Sequence, residues 1–312
     1  MAKWTEAEVG DQRGRIALVT GGNSGIGWDA ARVLATLGAQ VLLACRSPER
    51  GNDAVRRIRA ICPEADVTFL ALDLADLDSV RSAAARFRSD HARLALLINN
   101  AGLMAIPEQR TAQGFEMQLG VNHLGHFALT GLLLPALRAA PGSRVVTVSS
   151  TGHRPGRIRF DDLNWQSGYK PWAAYFQSKL ANLLFTYELQ RRLDATRVAT
   201  AALAAHPGGS KTNLGHENPG GLINAALQRL RPLIERFVLQ SSEMGALPTL
   251  RAAVDPEARG GEYYGPGGFG EQTGHPVRVD SSKRSKDVEV AQRLWRVSEE
   301  LTGVAYDSEA HA

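Results

Sequence analysis

Short apolar runs alternate along the chain with longer stretches whose apolar residues recur at helical spacing. Ile16–Thr20, Val41–Cys45, Val67–Leu72, Leu94–Asn99, Arg144–Ser149 and Val198–Ala205 read as buried strands, with Glu262–Tyr264 as a short seventh. Between them, Gly25–Leu37, Glu49–Ile61, Leu77–Phe87, a long stretch from Gly114 to Leu137, and Tyr175–Leu193 read as helices. In the first, Ala30, Val33, Leu34 and Leu37 fall at helical spacing and Gly38 is placed to stop it. Val288–Leu301 predicts a last amphipathic helix that packs back on the core, ended by Gly303. The alternation predicts an α/β fold, a doubly wound parallel sheet of about seven strands with helices on both faces. No repeat or low-complexity linker interrupts it. The expected organisation is a tail over residues 1–13, one domain over 14–280, and a C-terminal helix and tail over 281–312.

Composition narrows the class without changing this picture. Of 312 residues, 44% are hydrophobic and 22% charged, as in a globular protein able to bury a core without disulfides or metals. Cys45 and Cys62 stand in no ligand spacing, which suits a reducing cytoplasm. Met1–Arg15 has no apolar leader region, and no run approaches the roughly 18 apolar residues that span a bilayer, so no stable membrane insertion is expected. The net charge of +4 is spread along the chain, and no Lys/Arg block carries interleaved aromatics, which argues against nucleic acid as a partner. His123, His126, His153 and His206 have no mutual metal-ligand spacing, so no metal is expected.

The first chemical signal is Thr20-Gly21-Gly22-Asn23-Ser24-Gly25-Ile26-Gly27, a glycine-rich turn between the first strand and the first helix. Backbone N–H groups, a helix dipole and missing side chains together make such a turn a pyrophosphate site, and the sheet becomes one of Rossmann type. An acidic residue about 20 positions on would hold a free ribose 2′-hydroxyl, whereas arginine favours a 2′-phosphate. Nineteen residues after Gly27 stands Arg46, followed by Ser47, so the expected cofactor is NADP(H). Asp73-Leu74 and Asn99-Asn100-Ala101-Gly102 close the third and fourth strands at the edge where open sheets bind ligands. Asp73 could accept from an adenine amino group, or cap the next helix, a task for which Asp76 is better placed.

Tyr175 and Lys179 are four apart on a helix, so phenol and ammonium can address one site. A cation on that face favours the phenolate. The pair is common by chance; its weight comes from Ser149-Ser150 at the end of the fifth strand and Asn122 in the long helix. In this order, the glycine loop, Asn99–Gly102, Asn122, Ser150, Tyr175 and Lys179 resemble the short-chain dehydrogenase/reductase family, from Gly14 to about Gly267. The resemblance implies that Tyr175 is the general acid/base and that Lys179 lowers its pKa and binds the nicotinamide ribose. It implies that Ser150, rather than Ser149, polarises the substrate carbonyl, and that Asn122 holds a relay water. Gly21, Ser24 and Ile26 would lie along the cofactor, Asn100 beside the adenosine half, and Pro207, Gly208 and Thr212 at the nicotinamide end.

The gap from Ser150 to Tyr175 is 25, longer than in many family members, and the insert carries Trp165 and Trp172. With Ala44–Ser47, Asn122–Phe127, Ser178–Asn182 and His206-Pro207-Gly208, it is similar to the retinol dehydrogenase and protochlorophyllide reductase branch. Membrane-bound animal members carry a hydrophobic N-terminal anchor that this chain lacks, so a soluble bacterial-type member is expected. Ile223, Leu227, Leu230, Ile234 and Val238 recur at helical spacing with Arg229, Arg231 and Arg236 between them. A substrate lid over about 208–240, an amphipathic helix on the core, and a basic face on a membrane all fit. The substrate expected is a moderately hydrophobic carbonyl or alcohol. Carbon–carbon double-bond reduction and a non-catalytic dinucleotide-binding regulator are the alternatives. Family members often pair through the helices holding Asn122 and Tyr175, which makes a homo-oligomer a further expectation.

Overall fold

Alternate residues of each strand leave the sheet on opposite sides, and both sides are buried. Leu18, Leu42, Leu70, Leu97, Val145 and Ala202 join one apolar cluster. Their neighbours Val19, Val41, Val67, Ile98, Val146 and Leu203 join the other. A sheet covered on both faces needs this near-continuous apolar content. The computed structural model describes residues 3–196, 199–209 and 240–306. Its strands are β1 (Ile16–Thr20), β2 (Gln40–Cys45), β3 (Val67–Ala71), β4 (Leu96–Asn99), β5 (Arg144–Val148), β6 (Ala201–Ala205), β7 (Tyr263–Pro266) and β8 (Pro276–Arg278). They lie in the order β3-β2-β1-β4-β5-β6-β7-β8, parallel except for β8.

The helices are α1 (Gly25–Thr36), α2 (Pro48–Ile61), α3 (Leu77–Asp90), α4 (Met117–Leu119), α5 (Gly125–Arg138), α6 (Pro171–Ala195), α7 (Ser242–Val254) and α8 (Val288–Thr302). α1 packs against α7 on one face, and α3 against α5 and α6 against α8 on the other. α8 is the expected last helix, and Gly303 closes it in the left-handed conformation at φ 64°. Its Trp295 stacks on Phe185 of α6 at 5.8 Å and meets Phe127 of α5 edge-on at 5.1 Å.

Three elements depart from the sequence expectation. The sheet has an eighth strand, β8, antiparallel to β7 through Gly265↔Val277. α7 was not foreseen, because Gly245 and Pro248 interrupt its pattern; its Ser241 cap accepts from the Met244 amide and its apolar face buries against α1. The stretch from Gly114 is not one regular helix but α4, a π-helical turn over Gly120–Leu124, and α5. The buried Glu116 carboxylate starts it by accepting from the amides of Gln118 and Leu119, at 2.8 and 2.7 Å. The residues foreseen as a lid, 222–239, lie outside the described residues.

Candidate active site

The strand order reverses between β1 and β4, and there the carboxyl ends open a cleft of about 480 Å³. Thr20, at the end of β1, ties the glycine loop to β4: its Oγ1 accepts from the amides of Asn100 and Ala101, at 2.9 and 3.0 Å. Asn100 returns a bond from Nδ2 to the Thr20 carbonyl at 2.8 Å. Gly21 bends away at φ 65°, and a Cβ at Gly27 would collide with Asn100 Nδ2 and the Gly21 carbonyl. α1 starts at Gly25 with no acidic residue in its first turn and no side chain capping it, so its first amides face the cleft without a protein partner. A bare helix N-terminus above a cradle with no room for side chains fits the pyrophosphate of a dinucleotide.

At the other end of the cleft stand Ser150, Tyr175 and Lys179. Ser150 follows β5 and begins a single 3-10 turn, accepting from the Gly152 amide at 3.1 Å. Pro171, with its preset φ, opens α6, one turn earlier than the sequence predicts, which sets Tyr175 in the second turn. Tyr175 and Lys179 are both nearly buried, at 7% and 5% exposure. Lys179 Nζ lies 5.8 Å from the centre of the Tyr175 ring and donates to the Val148 carbonyl at 3.1 Å. Burial drops the Lys179 ammonium to about 8. Burial also pushes the Tyr175 phenol up, against a hydrogen bond with Ser150 that lowers it.

The two candidate serines separate by their partners. Ser149 is buried and donates to the Lys179 carbonyl at 2.8 Å, holding α6 on β5. Ser150 lines the cleft with Tyr175, and its side chain is the neighbour that lowers the phenol's pKa. Asn122 is fully buried in the π turn, and its side chain is engaged: Oδ1 accepts from the Leu103 amide (2.7 Å), and Nδ2 donates to the Leu103 carbonyl (2.9 Å) and Ser178 Oγ (2.8 Å). Its carbonyl accepts from His126 Nδ1 at 3.1 Å. Asn122 thus positions the strand-end loop behind Lys179 and does not line the cleft.

Of the remaining foreseen residues, Gly21, Asn23, Ser24, Gly25, Ile26, Gly27, Asn100, Ala101, Gly102, Pro207 and Gly208 line the cleft. Gly208 turns at φ 64° where a Cβ would strike the Gln272 carbonyl, and Gln240 Nε2 holds the Pro207 carbonyl at 2.9 Å. Arg46 is exposed and is not among the residues that line the cleft, and Ser47 caps α2 by accepting from the Arg50 amide at 3.3 Å. Asp73 holds its own turn, accepting from the Ala75 amide at 2.9 Å, and Asp76 is the cap of α3. Leu74 is buried against Gly125. Thr212 lies outside the described residues.

Arg50 was missed. It lines the cleft from the first turn of α2, and among the described residues neither it nor Arg46 has an ion-pair partner. The signal lay in the sequence as a second arginine four positions after Arg46. The insert also differs from expectation. Trp165 is buried under the Arg159 guanidinium at 4.3 Å, away from the cleft, and only Trp172 meets Tyr175, edge-on at 6.2 Å. His153 is buried and neutral, its pKa lowered to about 4 by burial, and it bridges the Ser150 carbonyl (2.7 Å) to the Ser282 amide (3.1 Å). Among the described residues no group of His, Cys, Asp and Glu could hold a metal.

Across residues 15–220 the chain matches the short chain dehydrogenase family profile. The chain belongs to the short-chain dehydrogenase family. Human retinol dehydrogenase 13 is 42% identical to it over 93% of this chain and 85% of that protein. A crystal structure of a Mycobacterium paratuberculosis protein superposes with a TM-score of 0.80 at 44% identity, covering 98% of this chain and 99% of that one. A short chain dehydrogenase from Burkholderia cenocepacia in complex with NADP superposes at 0.60 with 26% identity, over 81% and 96% of the two chains. As a short-chain dehydrogenase, the protein is an oxidoreductase that binds a nicotinamide dinucleotide, and the resemblance to the retinol dehydrogenase branch is shown as well. Among the described residues no helix is long and apolar enough to cross a membrane.

Proposed function

We propose that the protein uses NADP(H) to interconvert a carbonyl and an alcohol on a moderately hydrophobic small molecule, with Tyr175 as general acid/base. The observation that carries this reading is the buried Tyr175 phenol beside Ser150, with Lys179 one turn along the same helix, in a cleft continuous with the glycine loop. In the reducing direction the nicotinamide, when bound, supplies the hydride. Tyr175 donates its proton to the oxygen that becomes the alcohol. Ser150 donates a hydrogen bond to that oxygen as negative charge grows on it. Lys179 stabilises the phenolate left behind, and its own anchor on the Val148 carbonyl keeps the ammonium in place. A phenol raised by burial is fully protonated at neutral pH, which suits an acid.

Arg50 at the wall of the cleft and Arg46 just before the same helix, neither in an ion pair among the described residues, support a 2′-phosphate on the cofactor. Arg46→Ala with Arg50→Ala is expected to weaken NADPH by about 10- to 100-fold, the loss of charge-assisted hydrogen bonds, while NADH affinity holds. Titrating both cofactors by fluorescence checks this; equal weakening of the two would count against a 2′-phosphate site.

The apolar side of the cleft, Leu103, Met104, Ile106 and Val148, supports a hydrophobic substrate, as does a relative called a retinol dehydrogenase. Trp172, 55% exposed beside Tyr175, extends that side toward solvent. Trp172→Ala is expected to raise KM for apolar aldehydes several-fold with little change in kcat, since burying such a ring contributes about 1–3 kcal/mol of binding. A KM unaltered across an aldehyde series of growing chain length would remove Trp172 from the substrate path.

A further inference from the structure

At the opposite edge of the sheet from the active site, three strands begin side by side. The Ala95 amide donates to the Ile16 carbonyl and the Arg144 amide to the Ala95 carbonyl, both at 2.9 Å, which locks the starts of β1, β4 and β5 together. Each start brings an arginine: Arg15 before β1, Arg93 before β4 and Arg144 at the head of β5. All three line one cavity of about 500 Å³, closed on its other sides by Gly14, Pro141 and Gly142. A Cβ at Gly14 or Gly142 would meet nothing within 4 Å, so neither turn fills the space.

The charges of this cavity are unbalanced. Among the described residues none of the three guanidinium groups is in an ion pair. Arg15 and Arg144 are partly buried, and Arg93 is exposed at the rim. Arg15 donates to Gln12 Oε1 at 2.9 Å and Arg144 to the Ala252 carbonyl at 3.0 Å, which leaves most of each fork without a protein acceptor. Burial lowers the proton affinity of both, and Arg144 adds repulsion to Arg15. The carboxylates near Arg144 are Asp255 and Glu262, and each is already bonded to another arginine, Arg251 at 2.9 Å and Arg278 at 3.0 Å. Partly buried like charges are costly unless something of opposite sign neutralises them.

We propose that this cavity is a second binding site, for a small multivalent oxyanion of the phosphate or pyrophosphate type, held by Arg15, Arg144 and Arg93. Planar guanidinium forks recognise such oxygens in pairs. The site lies across the sheet from the cofactor cleft, so it does not depend on the assignment of NADP(H).

The test is isothermal titration of the full-length protein with inorganic pyrophosphate at low ionic strength, with citrate as a second anion. With the cofactor cleft saturated by a nicotinamide dinucleotide, wild type is still expected to bind pyrophosphate. Arg15→Gln/Arg144→Gln is expected to lose at least about tenfold in affinity. Its melting temperature without anion should match or exceed that of wild type, because like-charge repulsion is relieved. Arg93→Gln, at the exposed rim, tests the same cavity without altering a buried group and should weaken binding to a smaller degree. Binding by citrate alone would turn the assignment from phosphates to carboxylates and overturn it as stated. It is equally overturned if wild type binds no pyrophosphate, if the Arg15/Arg144 and Arg93 variants bind as wild type does, or if filling the cofactor cleft with dinucleotide abolishes pyrophosphate binding.

Discussion

Tyr175→Phe is expected to lower kcat by about 10²- to 10⁴-fold while the Kd for the nicotinamide cofactor is unchanged, the range that a positioned acid or base contributes. The phenylalanine ring keeps the packing against Phe176 and Trp172, at 6.1 and 6.2 Å in the native cluster, so only the hydroxyl is lost. The phenol beside Ser150 is lost, and the proton acceptor or donor at the reacting oxygen goes with it. Steady-state rates on a panel of aldehydes, beside a fluorescence titration with NADPH, separate the two quantities. Turnover by Tyr175→Phe at a tenth or more of the wild-type rate would end the proposal that Tyr175 carries the proton.

Lys179→Met has the next largest effect, and it acts in opposite directions on rate and stability. kcat is expected to fall by about 10²-fold or more, because the phenolate loses the only cation placed over it among the described residues. Stability at pH 7 is expected to hold or rise. The drop of the ammonium from 10.5 to about 8, at about 1.4 kcal/mol per unit, corresponds to about 3 kcal/mol that the folded state bears at neutral pH. Between pH 8 and 10.5 the unfolded chain holds a proton that the folded chain has released, so the stability of wild type rises with pH across that window. Below about 8 both states are charged and the whole penalty is present. Methionine removes the charge, and Asn182 Nδ2 still donates to the Val148 carbonyl at 3.0 Å. The variant should therefore melt no lower than wild type at pH 7 and lose the rise above pH 8. In wild type the reduction rate should decline above pH 8 as Lys179 loses its charge. A lower melting temperature at pH 7 would show that the ammonium stabilises the fold.

The candidate site is mostly a set of strand ends, which explains how far the sequence reveals it. Gly21, Gly27, Asn100, Ser150, Tyr175 and Lys179 are each tied to a local feature: a tight turn, a strand end, or an i,i+4 pair. Arg50 escaped notice because its nearness to the cleft depends on how α2 leaves β2, while Ser47, read as a phosphate contact, is engaged as the cap of that same helix. Trp165 and His153 mislead for a related reason. Both stand close in sequence to Ser150 and Tyr175, yet Arg159 covers the one, and the Ser150 carbonyl and Ser282 amide bind the other.

What the sequence by itself determined is the parallel sheet and its glycine-rich turn, because these rest on apolar periodicity and on contacts between near neighbours in the chain; the candidate reacting residues came from the family resemblance. Only the tertiary structure decided that Ser149 is engaged with the Lys179 carbonyl, that burial pushes the Tyr175 phenol up, and that Asn122 is engaged by the Leu103 backbone. It alone brought Arg15, Arg93 and Arg144 to one cavity. Hydration and charge balance depend on which groups of distant segments share a volume, and periodicity carries no record of that.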